Sequence, residues 1–166
     1  DTSFETMPNF SQSLKDQLQE AINAVGEAAT AEDKYALINR FSAIFQDIYP
    51  SKAAYVAMFK QAEALSSVTS DLLQSGLIDD ATAQAGYAAT ETLQSAYTDG
   101  SYSTEEAQNL DVLKDFSFIP QTSDDALQLN DAANLLYYAA MVNAGFRGTA
   151  AKLNTDLNLE GVVVTP

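Results

Sequence analysis

Apolar residues recur along this chain at steps of three and four, the spacing of one face of an α-helix. Leu14, Leu18, Ala21, Ile22 and Val25 form the first such stripe, with Lys15, Asp16 and Glu20 off it. Pro8 and Ser11 suit its start. A second, bulkier stripe runs through Leu37, Ile38, Phe41, Ile44, Phe45 and Ile48, behind a capping-box pattern at Thr30-Ala-Glu-Asp33. Tyr49-Pro50 predicts its end, because proline disfavours helix in the residue before it. Ser51 then caps a third helix through Tyr55, Val56, Phe59, Ala62 and Leu65, running on to Leu73. Gly76 is placed to end it in the left-handed conformation, with Leu77 as the apolar partner of such a stop.

Asp79 or Asp80 starts a fourth helix, from Ala81 to about Tyr97. Its many alanines and Gly86 allow close approach of a neighbouring helix. Ser103-Thr-Glu-Glu106 caps a fifth helix, through Ala107, Leu110, Leu113 and Phe116, which Phe118-Ile-Pro120 breaks. Ser123 predicts the start of a sixth, with Leu129, Ala132, Ala133, Leu136, Tyr137, Ala140, Met141 and Ala144 on its buried side and Gly145 at its end. A short seventh spans Thr149 to Leu157. Only Val162-Val-Val164 favours a strand. The expectation is an all-α, single-domain bundle of six to seven helices over residues 1–166, with 1–8 and 160–166 as extended tails.

Composition narrows the functions available. The chain has 166 residues, 46% of them hydrophobic, which is enough for a real core and too apolar for intrinsic disorder. Its 23 acids against 8 bases give a net charge of −15. That argues against nucleic acid, whose phosphates need clustered Lys and Arg, and against anionic membrane surfaces. Cysteine, histidine and tryptophan are absent. No thiolate chemistry, disulfide or imidazole base is available. The start at Asp1 and the apolar end suggest a processed piece of something longer. Together with a pI of about 4.1, this favours a secreted or extracellular protein.

Candidate chemistry is sparse. Ser95 to Glu106, SAYTDGSYSTEE, has half the outline of a calcium loop: Asp99-Gly100, an apolar Tyr102 and a closing Glu106. The frame needs oxygen ligands where Ser95 and Tyr97 fall, so Asp99 and Glu106 make at best a weak calcium pair. Turn and cap chemistry explains the same letters. The pairs Glu32/Asp33, Asp79/Asp80, Glu105/Glu106 and Asp124/Asp125 sit at predicted helix starts, where carboxylates oppose the helix macrodipole. No lysine has a context that points to a nucleophile, and no phosphate-binding or nucleophile-elbow motif occurs. No enzyme and no cofactor are expected. Phe41, Phe45, Phe59, Tyr137 and Met141 are core candidates, and alternatively the lining of a cavity for a small apolar ligand.

Two stretches carry a resemblance. Gln74-Ser-Gly-Leu-Ile-Asp-Asp-Ala-Thr-Ala-Gln-Ala through Leu93-Gln-Ser-Ala-Tyr97, and Ala139-Ala-Met-Val-Asn-Ala-Gly-Phe146, are similar to the globular helical domains of spider silk proteins, the spidroins. The chain departs from them in having no tryptophan and no Gly-rich or poly-Ala block. The resemblance implies a secreted structural domain that stays soluble in storage and associates when conditions change. The sequence alone thus leads to a non-enzymatic structural or assembly module whose partner is a protein, including a second copy of itself. High negative charge keeps it soluble, and neutralised carboxylates let it associate. Val162–Val164 offers a further contact by pairing with another chain's edge. The alternative is a carrier of an apolar ligand.

Overall fold

The computed structural model describes residues 10–164, which places Pro8, the expected tail 1–8 and the last two residues of the expected tail 160–166 outside the described residues. The chain is mostly helical, and a small three-stranded sheet joins the helices. Among the described residues there are five α-helices: α1 (Gln12–Val25), α2 (Ala31–Gln74), α3 (Asp80–Asp99), α4 (Thr104–Asn109) and α5 (Ala132–Asn143). The strands are β1 (Thr122–Ser123), β2 (Ala126–Leu129) and β3 (Ala150–Leu153). Two compact units result. One is the chain up to Met58 together with Ser95–Asn109; the other is Phe59–Gln94 together with Leu110 onward.

The second and third expected helices are one. Pro50 lies inside the 44-residue α2 and does not stop it. Proline removes one amide donor and crowds the carbonyl four residues back. Here that carbonyl belongs to Gln46, and both Gln46 and Pro50 are exposed, so water can take its place. Ser51 therefore caps no helix of its own. It is buried within α2, and its Oγ accepts the Ser11 N–H at 3.1 Å. Ser11 sits at the N-cap of α1 without a side-chain capping bond; α2 supplies the hydroxyl across the hairpin instead.

In the first unit, α1 and the front of α2 form an antiparallel pair across a short turn. Leu18, Ala21 and Ile44 make its buried cluster, with Phe41 and Ile48 packed against them. Arg40 bridges to Glu20 at 2.8 Å on the exposed side. Further along, Tyr55 and Met58 of α2 are fully buried. The Tyr55 ring lies against Tyr97, and its hydroxyl donates to the Tyr102 carbonyl.

In the second unit the rest of α2 buries Ala62, Leu65, Val68 and Leu72. Gly86 of α3 sits where a Cβ would come within 2.6 Å of Thr69 Oγ1, so the two helices cross at a distance only glycine permits. The stop at Gly76 follows expectation: its φ is +67°, and Leu77 N–H donates back to the Leu72 carbonyl at 2.9 Å.

The region after α4 departs most from an all-α reading. Helix ends at Asn109, because Leu110 turns left-handed at φ 45° and leads into a single 3₁₀ turn. Asp124 and Asp125, expected to open a helix behind Ser123, both have positive φ and form the two-residue turn of a β-hairpin. The helix begins eight residues later, where Asp131 accepts the Asn134 N–H at 2.8 Å. In place of the expected seventh helix, β3 runs parallel to β2, with α5 in the crossover. Asn154 fastens the end of that pairing by donating to the Leu129 carbonyl. Val162–Val164 joins no ladder; Val163 N–H donates to Ser75 Oγ at 2.8 Å.

Candidate functional site

The feature of the first unit that packing leaves unexplained is the outer side of α2. At 3.6 residues per turn, the apolar arc over residues 31–49 is about 180° wide. Leu37, Phe41, Ile44 and Ile48 occupy the half of the arc on which the buried hairpin cluster sits. Tyr35, Ile38, Phe45 and Tyr49 occupy the other half, with 67%, 64%, 54% and 80% of their surface exposed. One partner helix covers about half of so wide an arc. Ile22 and Val25 of α1 are exposed as well.

This outer stripe is ordered by its own chemistry. Phe45 stacks on Phe41 with ring centroids 6.3 Å apart and planes inclined by 23°. Ser42 lies between Ile38 and Phe45 on the same face and is exposed, leaving a notch beside two large side chains. No carboxylate falls on the line of Tyr35, Ile38, Ser42, Phe45 and Tyr49; exposed Lys34 borders its first turn beside Ile38 and Phe45, and Glu32, Arg40 and Asp47 project from the opposite half of the helix. Exposed single hydrophobics are ordinary on protein surfaces, whereas a contiguous run on one helix face is not.

The half calcium loop resolves into a joint. Gly100 has φ +69°, and its carbonyl accepts the Gln12 N–H at 2.9 Å. A Cβ there would lie 2.9 Å from the Gln12 nitrogen, so glycine is needed for close approach as well as for conformation. Asp99 accepts the Ser101 N–H at 2.9 Å. Glu106 accepts the Ser103 N–H at 2.8 Å while its own N–H donates to Ser103 Oγ, a reciprocal capping box. Both carboxylates are thus turned to backbone donors. They also lie near the Tyr55 hydroxyl, whose pKa burial raises to about 12, with Asp99 and Glu106 adding to the rise. Among the described residues no group of three or more acidic, Cys or His side chains converges as a metal site.

Two of the other carboxylate pairs, Glu32/Asp33 and Asp79/Asp80, are explained in the same manner, whereas Asp124/Asp125 is the hairpin turn. Thr30 and Asp33 cap reciprocally at 2.9 and 3.1 Å, and Asp79 accepts the Thr82 N–H at 2.8 Å. These hydrogen bonds hold Asp33, Asp79 and Asp99 below the usual carboxylate range. Lys15 is buried and lies over the Phe10 ring at 5.3 Å, and desolvation lowers its pKa. No sequence signal singled it out, because its neighbours in the chain read as an ordinary polar face.

The five residues considered for an apolar cavity divide between the units. Phe41 and Phe45 belong to the hairpin, and Phe45 is largely exposed. Phe59, Tyr137 and Met141 belong to the second unit. There Tyr137 is buried, its ring 6.4 Å from Phe118 and its hydroxyl donating to Gln61 Oε1 at 3.0 Å; burial raises its pKa. Grooves of that unit have other linings. One of about 620 Å³ runs along Ala81, Ala85, Ala88 and Thr92 of α3 beside Phe116. Another of about 300 Å³ lies between Leu135, Leu136 and Ala139 of α5 and Leu159, Val162 and Val164. No helix among the described residues is long and apolar enough to cross a membrane. Comparisons with protein-family models, with curated proteins and with solved structures find no match to this chain.

Proposed function

We propose that this chain is a non-enzymatic assembly module, held apart by charge and joined through an exposed apolar helix face. The observation that carries the reading is the outer stripe of α2, exposed in a chain of net charge −15. The two features oppose one another. The stripe favours association in proportion to the apolar area it can remove from water. The net charge opposes association through repulsion between like molecules, and that repulsion weakens as carboxylates protonate or bind divalent cations. The acidic composition, and the resemblance of two helical stretches to spidroin domains, favour a secreted module.

Sedimentation of the full chain at low salt tests the reading. A monomer at pH 7 that associates at pH 4.5, or on addition of calcium at pH 7, is the expected result. A species that stays monomeric at both pH values and with calcium overturns it.

A further inference from the structure

We infer that the partner of the outer stripe is a second copy of this chain, laid antiparallel on the first across the front half of α2. The inference rests on the assembly reading above and specifies its contact. Self-association of one patch requires a two-fold axis, and hence a surface that complements itself when reversed. The stripe has that property. Its large side chains follow one another at Tyr35, Ile38, Phe45 and Tyr49, and the small Ser42 interrupts them. Set Phe45 of one copy against Ser42 of the other, and the reciprocal contact forms by symmetry. Ile38 then faces Tyr49 of the second copy, and Tyr35 faces the aliphatic stem of Lys52. Each large residue meets a smaller or flexible one, as packed helix seams require. Lys52 is itself exposed and keeps its ammonium in water at the end of the seam.

Size agrees with this occupant, and the net charge opposes it only until salt screens it. At about 200 Å² for a whole large side chain, the exposed parts of the four residues amount to roughly 500 Å² per copy. Two copies bury about 1,000 Å² through them, the lower bound of a specific interface and the regime of a weak, reversible dimer. The large residues of the stripe are uncharged, and exposed Lys34 and Lys52 at its two ends keep their ammonium groups in water. The acids in the front half of α2 that repel a second copy, Glu32, Asp33 and Asp47, stand off the seam, where salt screens them.

The test is sedimentation equilibrium of the full chain at pH 7 in 0.5 M NaCl, from micromolar to millimolar protein, with circular dichroism to verify the fold. The wild type is expected to dimerise reversibly. Phe45→Glu and Ile38→Glu are each expected to weaken the dimer at least tenfold with unchanged helicity, because both side chains are exposed in the monomer. Ala43→Glu, on the far side of α2, is expected to leave it unchanged. Ser42→Phe fills the notch and is expected to weaken it also; a tighter dimer from that variant overturns the antiparallel register. A wild type that stays monomeric at millimolar concentration overturns the inference. Acid-induced association that survives both Phe45→Glu and Ile38→Glu overturns this contact while leaving the assembly reading standing.

Discussion

The two halves of α2 are similarly rich in large apolar side chains and meet opposite fates. Over residues 54–72, Tyr55, Met58, Leu65, Val68 and Leu72 are all buried. Over residues 35–49, Ile44 alone is buried, and Tyr35, Ile38, Phe45 and Tyr49 face water. The difference lies in what stands between the large residues. The rear half interleaves Ala54, Ala62, Ala64 and Thr69, small side chains that are buried with them. Small residues let neighbours approach closely enough to cover a whole face, as Gly86 does at Thr69. The front half crowds bulky residues over about half the circumference of the helix, wider than the single antiparallel partner α1 can cover. Hydrophobicity makes both halves helical; the distribution of size decides how much of each is covered.

The sharpest way to break this comparison is to truncate one side chain from each half. Leu65 is fully buried, and Leu65→Ala is expected to cost about 2–5 kcal/mol by lost burial and the cavity left behind. Ile38→Ala, measured on dilute protein in urea, is expected to change stability by no more than about 0.5 kcal/mol. Similar losses at the two positions would mean that the front half is as well covered as the rear.

A smaller effect tests the joint at which α1 meets the chain after α3. Gly100→Ala places a Cβ 2.9 Å from the Gln12 nitrogen at a φ of +69°. Gly76→Ala has nearly the same φ, +67°, with open space around it. The conformational cost alone is about 1 kcal/mol, so Gly76→Ala is expected to lose about that much. Gly100→Ala is expected to lose about 2 kcal/mol, since backbone must also move. Equal losses in chemical denaturation would show that α1 is not seated on Gly100.

Such close approaches mark the limit of what the sequence could tell. Helix ends were legible where local chemistry decides them. The Thr30/Asp33 and Ser103/Glu106 boxes, the Asp79 cap and the Gly76 stop depend on residues a few positions apart. Pro50 misled because its cost is local while the packing that outweighs it lies on both sides, at Ile44, Ala54 and Tyr55. The stretch from Ser123 to Leu129 misled because a short apolar alternation suits a strand as well as a helix. Its identity is settled by the distant partner β3 and by two aspartates with positive φ. As for the candidate site, the spacing of the second stripe reads as helix, and Phe41 and Phe45 stand out in it as bulky apolar residues. Which half of the arc is covered was not readable, because coverage depends on α1 and not on α2.

The smallest effect concerns how firmly the front of α2 is held, and it depends on pH. Thr30 holds the Asp33 carboxyl below the usual range, so Asp33 binds a proton less readily in the folded chain than in the unfolded one. Its contribution to stability is therefore fully present above the unfolded value. It is lost as pH falls through the folded one. Asp79 and Asp99 follow the same sign at the two ends of α3. Acid thus frays these helix ends, and the first turn of α2 is exposed among the described residues. Amide exchange over residues 31–36 is expected to quicken below pH 4 relative to the amides of Leu65 and Val68, after correction for the intrinsic pH dependence of exchange. Asp33→Asn is expected to give the faster exchange already at pH 7. If protection of that turn is the same at pH 7 and pH 3, the cap does not hold it, and the front of α2 is steadier than its exposure implies.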